Sequence, residues 1–188
     1  MLNTVGNCPT NKLKQSENNL MKNLFALILV LAISVSTFSQ QSRMKPLAET
    51  FSATSLEETT FDLAQLKGKV VLLTFWSTKC PICHNEIPRL NQLAQIYKDK
   101  DVVFLGLTME NPNKVKPYLK KNAFDFNIIP NSFGMVLKYA DKDGDGNVTM
   151  GFPAHYLINQ KGEIELKTNG FGKTETLAKR INQLLPSK

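Results

Sequence analysis

The chain has 188 residues, 42% of them hydrophobic and 21% charged, and carries a net charge of +7. This composition suits one globular domain with a leader and excludes a disordered chain. The lysines are dispersed and no basic block is interleaved with aromatic residues, so the charge describes a solvated surface rather than a nucleic-acid-binding one.

Residues 1–20 are polar and rich in Asn and Lys, without hydrophobic periodicity, and are expected to be an upstream extension that forms no fold. Met21-Lys22-Asn23 followed by the apolar run Leu24 to Ile33 has the charged start and short core of a secretory signal, which places translation start at Met21 and the leader at 21–39. Thr37 and Ser39 offer small residues for cleavage before Gln40. An uncleaved anchor is the alternative, although the run is shorter than the ~20 residues that span a bilayer. No cysteine stands at the end of the run, the next being Cys80, which excludes a lipoprotein. Residues 40–188 are then a domain in the periplasm or cell envelope, tethered to the membrane only if the leader is retained.

Within that domain, Phe51 and Thr59 to Leu63 suggest an N-terminal hairpin or edge strand, and Gly68 a turn into the core. Val70 to Trp76 is a continuous apolar run, read as a buried strand. After the polar turn Ser77-Thr78-Lys79 comes Cys80-Pro81-Ile82-Cys83, and then a helix from about Cys83 to Tyr97, with Ile87, Leu90, Leu93, Ala94 and Tyr97 on one face. Pro88 inside it removes a backbone donor and is expected to bend it. Val102 to Thr108 is a second buried strand, Asn113 to Asn122 a helix with Pro117 in its first turns, Phe124 to Ile129 an extended segment, and Ser132 to Tyr139 a helix. Asp141 to Asn147 reads as a polar Asx and Gly turn; it resembles the start of a calcium loop, but Phe152 stands where the bidentate Glu is needed. Ala154 to Ile158 and Ile164 to Lys167 form a hairpin through Asn159 to Gly162, with His155 expected to face solvent or a neighbouring side chain. Thr174 to Leu185 is an amphipathic helix with Leu177, Ile181, Leu184 and Leu185 inward. This order gives an α/β fold, a mixed central sheet covered by helices on both faces.

The chemistry lies in the cysteines. There are three, and Cys8 falls in the upstream segment, which leaves one Cys-x-x-Cys pair and no other thiol in the domain. That is a redox pair rather than a structural framework. At a helix start the free N–H groups and the macrodipole favour a thiolate, and Lys79 adds a cation, so Cys80 is the more acidic thiol and the attacking nucleophile. Cys83 is close enough to resolve a mixed disulfide by intramolecular attack. No cofactor is needed beyond the redox-active disulfide Cys80–Cys83.

The run Val70 to Trp76, three residues, Cys80-Pro81-Ile82-Cys83, two residues, and then Glu86-Ile87-Pro88 resemble the thioredoxin superfamily, and within it the extracytoplasmic TlpA/ResA-like thiol–disulfide oxidoreductases. The resemblance runs from about Leu47 to the C-terminus. It implies a thioredoxin-like three-layer fold, in which Gly151-Phe152-Pro153-Ala154 carries a cis-proline, Pro153, packed beside the disulfide. Trp76 is expected to pack there too. Thr74 stands where thioredoxins proper have a buried acid, and Glu86 matches an acidic position of the ResA-like branch, which suggests that it assists proton transfer at Cys83. Partners implied by the resemblance are protein thiols and disulfides, with reduction of exported proteins such as apocytochrome c and a membrane electron donor; the protein is expected to be a monomer.

Four other readings compete. Cys80-Pro81-Ile82-Cys83-His84 is literally the C-x-x-C-H pattern of c-type haem attachment, although the strand before it and the strand-rich remainder do not suit a small cytochrome. Zinc would need two more ligands, and His84 directly abuts Cys83. A peroxidase of the peroxiredoxin kind needs Pro and Thr or Ser seven and three residues before the nucleophile; Ser77 meets the second requirement and Leu73 fails the first. A thioredoxin-fold binding module is the non-enzymatic alternative, and retention of both thiols argues against it.

Overall fold

The computed structural model describes residues 44–186. The upstream extension at 1–20 and the leader at 21–39 lie outside these residues.

An antiparallel hairpin, β1 (Ser52–Thr54) and β2 (Thr60–Asp62), opens the domain, and Asp62 caps a short 3-10 turn, Leu63–Leu66, by accepting the N–H of Ala64. β3 (Val70–Phe75) is buried along its whole length, as its unbroken apolar sequence requires. α1 (Pro81–Tyr97) follows, then β4 (Val102–Leu107), α2 (Pro112–Leu119), β5 (Asn127–Ile129) and α3 (Phe133–Tyr139). A two-stranded ribbon, β6 (Asp141–Lys142) and β7 (Val148–Thr149), leads to β8 (Ala154–Ile158), β9 (Ile164–Asn169) and α4 (Thr174–Leu184).

The central sheet has five strands in the order β5-β4-β3-β8-β9. β3, β4 and β5 are parallel; β8 runs antiparallel to β3 and β9 antiparallel to β8. On one face Val71, Leu73, Phe75, Leu105, Leu107 and Tyr156 pack with Val136 and Tyr139 of α3. On the other, Val70, Leu72, Phe104 and Leu157 pack with Leu90, Leu93 and Tyr97 of α1 and Leu177 and Ile181 of α4. Each fully buried Leu or Ile in these layers contributes about 1.5–3 kcal/mol. The α/β class, the mixed sheet and the N-terminal hairpin agree with the expectation.

Several boundaries differ. α1 begins at Pro81, because Cys80 itself is the N-cap and a proline at the first helical position gives up no bonded N–H. α2 starts at Pro112 for the same reason, capped by Asn111, and stops at Leu119, so Pro117 lies in its second half. Asp141–Asn147 is the ribbon turn: one Asp143 oxygen accepts the N–H groups of Asp145 and Asn147, and the other takes the Asn147 amide, which engages a carboxylate that a calcium loop would need. Leu184 and Leu185 are only half-buried, since the helix ends there, whereas Leu177 and Ile181 are fully inward.

Candidate active site

β3 delivers the chain to the top of the sheet, where the Trp76 N–H still bonds to Leu107 O at 3.0 Å. The turn Ser77–Lys79 reverses it, and the Cys80 N–H donates to Ser77 O at 3.1 Å. Cys80 adopts extended N-cap dihedrals, φ −97° and ψ 101°, and its Sγ accepts the N–H of Cys83 at 3.1 Å. A sulfur placed where Ser or Asp usually caps a helix receives the N–H and dipole that stabilise its anion. Cys80 and Cys83 are joined as a disulfide with Cα atoms 5.2 Å apart. Their exposures differ: Cys83 is 2% exposed, whereas Cys80 is half-buried, between exposed Lys79 and exposed Pro81 and Ile82. Cys80 is thus the more exposed residue of the pair.

Thr78, two residues before Cys80, is held from three directions. Its N–H and hydroxyl donate to the two carboxylate oxygens of Glu110 at 2.7 and 2.8 Å, and its carbonyl accepts Nε2–H of His84 at 2.9 Å. Burial alone raises the Glu110 pKa, but the bonds from Lys114 and Thr78 outweigh it and hold the carboxyl below its usual range. The His84 ring also lies 5.1 Å from that of Tyr118, so His84 is an anchor of the turn, and Cys80 and Cys83 are bonded to each other. Haem attachment would require two free thiols and an imidazole turned out to iron.

Trp76 is buried and packs at a tilt against Phe124 and Tyr118, with ring centroids 4.6 and 5.5 Å away. It shares one apolar cluster with Cys83, against which Cys80, Tyr118 and Phe152 pack. The Phe152–Pro153 bond is cis, and Pro153 is buried next to Ala154, the cross-strand partner of Phe75. The segment 152–154 is thus brought to the level of Trp76, and Phe152 to the cluster around the two sulfurs. Lys79 is exposed, and its N–H donates to Ser77 Oγ at 3.2 Å; among the described residues its ammonium makes no ion pair.

Glu86 is fully buried, and its carboxylate accepts the N–H groups of Gly172 at 3.0 Å and Lys173 at 3.2 Å. It ties the second turn of α1 to the chain entering α4. His155 is also fully buried, its Nδ1 3.0 Å from Thr74 Oγ1. The solvent-facing option for His155 is therefore incorrect: β8 lies between β3 and β9 with helices on both faces, so neither face of that strand meets water. Burial pushes the imidazole pKa down to about 4. Among the described residues no group of three or more His, Cys, Asp and Glu forms a metal cluster.

Sequence reasoning missed Thr78, Glu110, Tyr118 and the buried state of His155. Only the last left a signal, a single imidazole inside an unbroken run of strand residues flanked by apolar neighbours.

The model of the family described as "AhpC/TSA family" matches residues 45–167. A thiol-disulfide oxidoreductase ResA of Bacillus cereus is 27% identical over 174 residues, covering 87% of this chain and 96% of its own. The protein of the same name from Geobacillus kaustophilus is 26% identical over 180 residues, covering 93% of this chain and 100% of its own. The crystal structure of a thioredoxin family thiol:disulfide interchange protein from Chlorobium tepidum superposes with a TM-score of 0.65 at 22% identity, covering 76% of this chain and 98% of that one. The chain belongs to the AhpC/TSA family and is a ResA-like, thioredoxin-fold thiol–disulfide oxidoreductase.

Proposed function

We propose that the protein works outside the cytoplasm as a monomeric reductant of disulfides in exported proteins, with apocytochrome c among the substrates that fit, and that a membrane electron donor returns it to the dithiol. The carrying observation is the asymmetry of the pair: a half-buried Cys80, whose Sγ accepts a helix N–H, joined to a buried Cys83.

In this reading the Cys80 thiolate attacks one sulfur of a substrate disulfide, forming an enzyme–substrate disulfide and expelling the other substrate sulfur as a thiolate. Cys83 then attacks Cys80 Sγ, releasing the second substrate thiolate and leaving the Cys80–Cys83 disulfide. The Glu110–Thr78–His84 contacts fix the turn that aims Cys80. Lys79 supplies an exposed cation beside the nucleophile, and Trp76, Phe152 and Pro153 wall the site against water. Glu86 positions α1 against the entry to α4 and, three residues after Cys83, assists proton transfer to or from that thiol; a Glu86→Gln chain with unchanged exchange rate and pH profile would remove that role.

The direction of electron flow follows from the potential. Protein reductants of the thioredoxin type lie near −270 mV and strong protein oxidants near −120 mV. Equilibration of Cys80–Cys83 against glutathione buffers should give a midpoint more negative than roughly −200 mV. A midpoint near that of the oxidants would reverse the proposed direction.

A further inference from the structure

Ile82, Glu86 and Arg89 recur at intervals of four and three residues, which puts them on one face of α1. Glu86 accepts the N–H groups of Gly172 and Lys173, so the chain that joins β9 to α4 is laid across that face. This joint is Gly170-Phe171-Gly172. Both glycines lie in the left-handed region, with φ of 78° and 76°, which the reversal of the chain requires. The Gly170 N–H donates to Pro153 O at 2.9 Å. The loop thus begins on the cis-proline segment and ends on the helix that carries Cys83, and Phe171 is its one side chain.

Phe171 is 49% exposed and Ile82 47%. Arg89 is exposed as well, with its guanidinium carbon 4.6 Å from the centroid of the Phe171 ring. A guanidinium held on an aromatic face loses rotamer freedom while its N–H edge stays open, the form in which arginine takes a carboxylate in two parallel bonds. Among the described residues Arg89 makes no ion pair. Beyond it a groove of about 350 Å³ continues between α1 and the start of α4, lined by Gln92, Leu93, Ile96, Thr174 and Glu175. Glu175 is the one carboxylate in that lining, and it lies outside ion-pair distance of Arg89. At the other end of the stripe the exposed Lys79 adds a second positive charge beside Cys80. Apolar surface bounded by two unpaired cations, continuous with the exchanging disulfide, is complementary to an apolar segment that carries an acid.

We infer that Arg89, held on Phe171, is a specificity-determining residue of the exchange reaction: it takes a side-chain carboxylate of the partner protein. The occupant is an extended segment that places its cysteine at Cys80 and lies over Ile82 and Phe171. Seven helical residues from Ile82 to Arg89 rise about 10.5 Å, a span that an extended chain covers in about three residues. The acid therefore stands about three residues from the reacting cysteine. This inference rests on the exchange reading above and names the class of segment that reading takes.

The test uses the reduced protein and peptides whose single cysteine is joined by a disulfide to pyridine-2-thiol, with release of that thiol read as a second-order rate. One set carries Glu, Gln or Lys about three residues from the cysteine, on either side in separate peptides; a further peptide carries Glu only at its far end. At low salt the native chain should prefer Glu to Gln by about fivefold or more on one of the two sides, with Lys slowest, and the preference should shrink as salt is raised. The ratio should fall close to one in Arg89→Gln, reverse in favour of Lys in Arg89→Glu, and diminish in Phe171→Leu. Each ratio is taken within one variant, so a general change in thiol reactivity cancels. A native ratio near one on both sides, or a Glu preference that Arg89→Gln retains, overturns the inference. Should a variant not fold, the native chain decides: the far-end Glu peptide should react like the Gln peptide, and a rate equal to that of the near Glu peptide overturns the inference. Absence of release from every peptide would instead overturn the exchange reading itself.

Discussion

Glu110 takes both hydrogen-bond donors of Thr78, one on each carboxylate oxygen, across 32 residues of sequence. Charge-assisted hydrogen bonds of this kind contribute about 1.5–3 kcal/mol. Glu110→Gln should therefore lower stability by about 1–3 kcal/mol and change the alkylation rate of Cys80 at fixed pH, since the turn that sets its cap loosens. The folded carboxyl has a lowered pKa, so its contribution is complete above the usual carboxylate range and is lost as pH falls through the folded value. Denaturant midpoints of wild type and variant that stay apart at acidic pH would contradict this assignment.

Glu86→Gln makes a different prediction. One carboxylate oxygen becomes an NH₂ facing a backbone N–H of Gly172 or Lys173, two donors opposed in a buried place. The cost expected is about 1–3 kcal/mol, seen as a lower thermal midpoint. An unchanged midpoint would mean that the link between α1 and the entry to α4 contributes little.

His155 predicts a pH dependence of stability. Its folded pKa of about 4 lies below the ordinary 6.5, so the unfolded chain binds the extra proton. Stability due to the neutral imidazole is fully present above pH 6.5 and falls between about 6.5 and 4, by on the order of 3 kcal/mol in all. His155→Leu should flatten that part of the curve. A wild-type curve already flat across the window would contradict the buried neutral imidazole.

Gly106 allows the Trp76 ring to lie over β4. A Cβ there would meet Ile128 Cδ1 at 2.5 Å, Phe126 at 3.2 Å and Trp76 Nε1 at 3.3 Å. Gly106→Ala should cost about 1–3 kcal/mol through overpacking and shift Trp76 fluorescence, because the displaced ring packs on Phe124 and Tyr118 beside the disulfide. A variant with wild-type melting and emission would contradict it.

The elements that were legible in the amino-acid sequence are those whose environment is written in their own period. Val70–Phe75 reads as a two-face-buried strand because every residue is apolar or Thr, and all six are buried. Leu90, Leu93 and Tyr97 recur at helical spacing and face the sheet. Cys80 and Cys83 stand out because two thiols at a helix start have few other uses. What was not legible depends on partners distant in sequence. Nothing near Thr78 announces Glu110, and nothing near Glu86 announces the amides of Gly172 and Lys173. His155 finds its buried hydrogen-bond partner only because register sets Thr74 opposite it. The start of α1 was misplaced by two residues since Cys80 acts as a cap, a part that composition assigns to Ser, Thr, Asp or Asn.

The central claim is that Cys80 is the sulfur that meets other proteins and Cys83 the one that releases them. Purified Cys83→Ala, reduced and mixed with an extract of envelope proteins, should accumulate mixed disulfides through Cys80 that a reductant dissolves, and the Cys80→Ala chain should accumulate none. Mixed disulfides formed by Cys80→Ala through Cys83, or none with Cys83→Ala, would contradict the account.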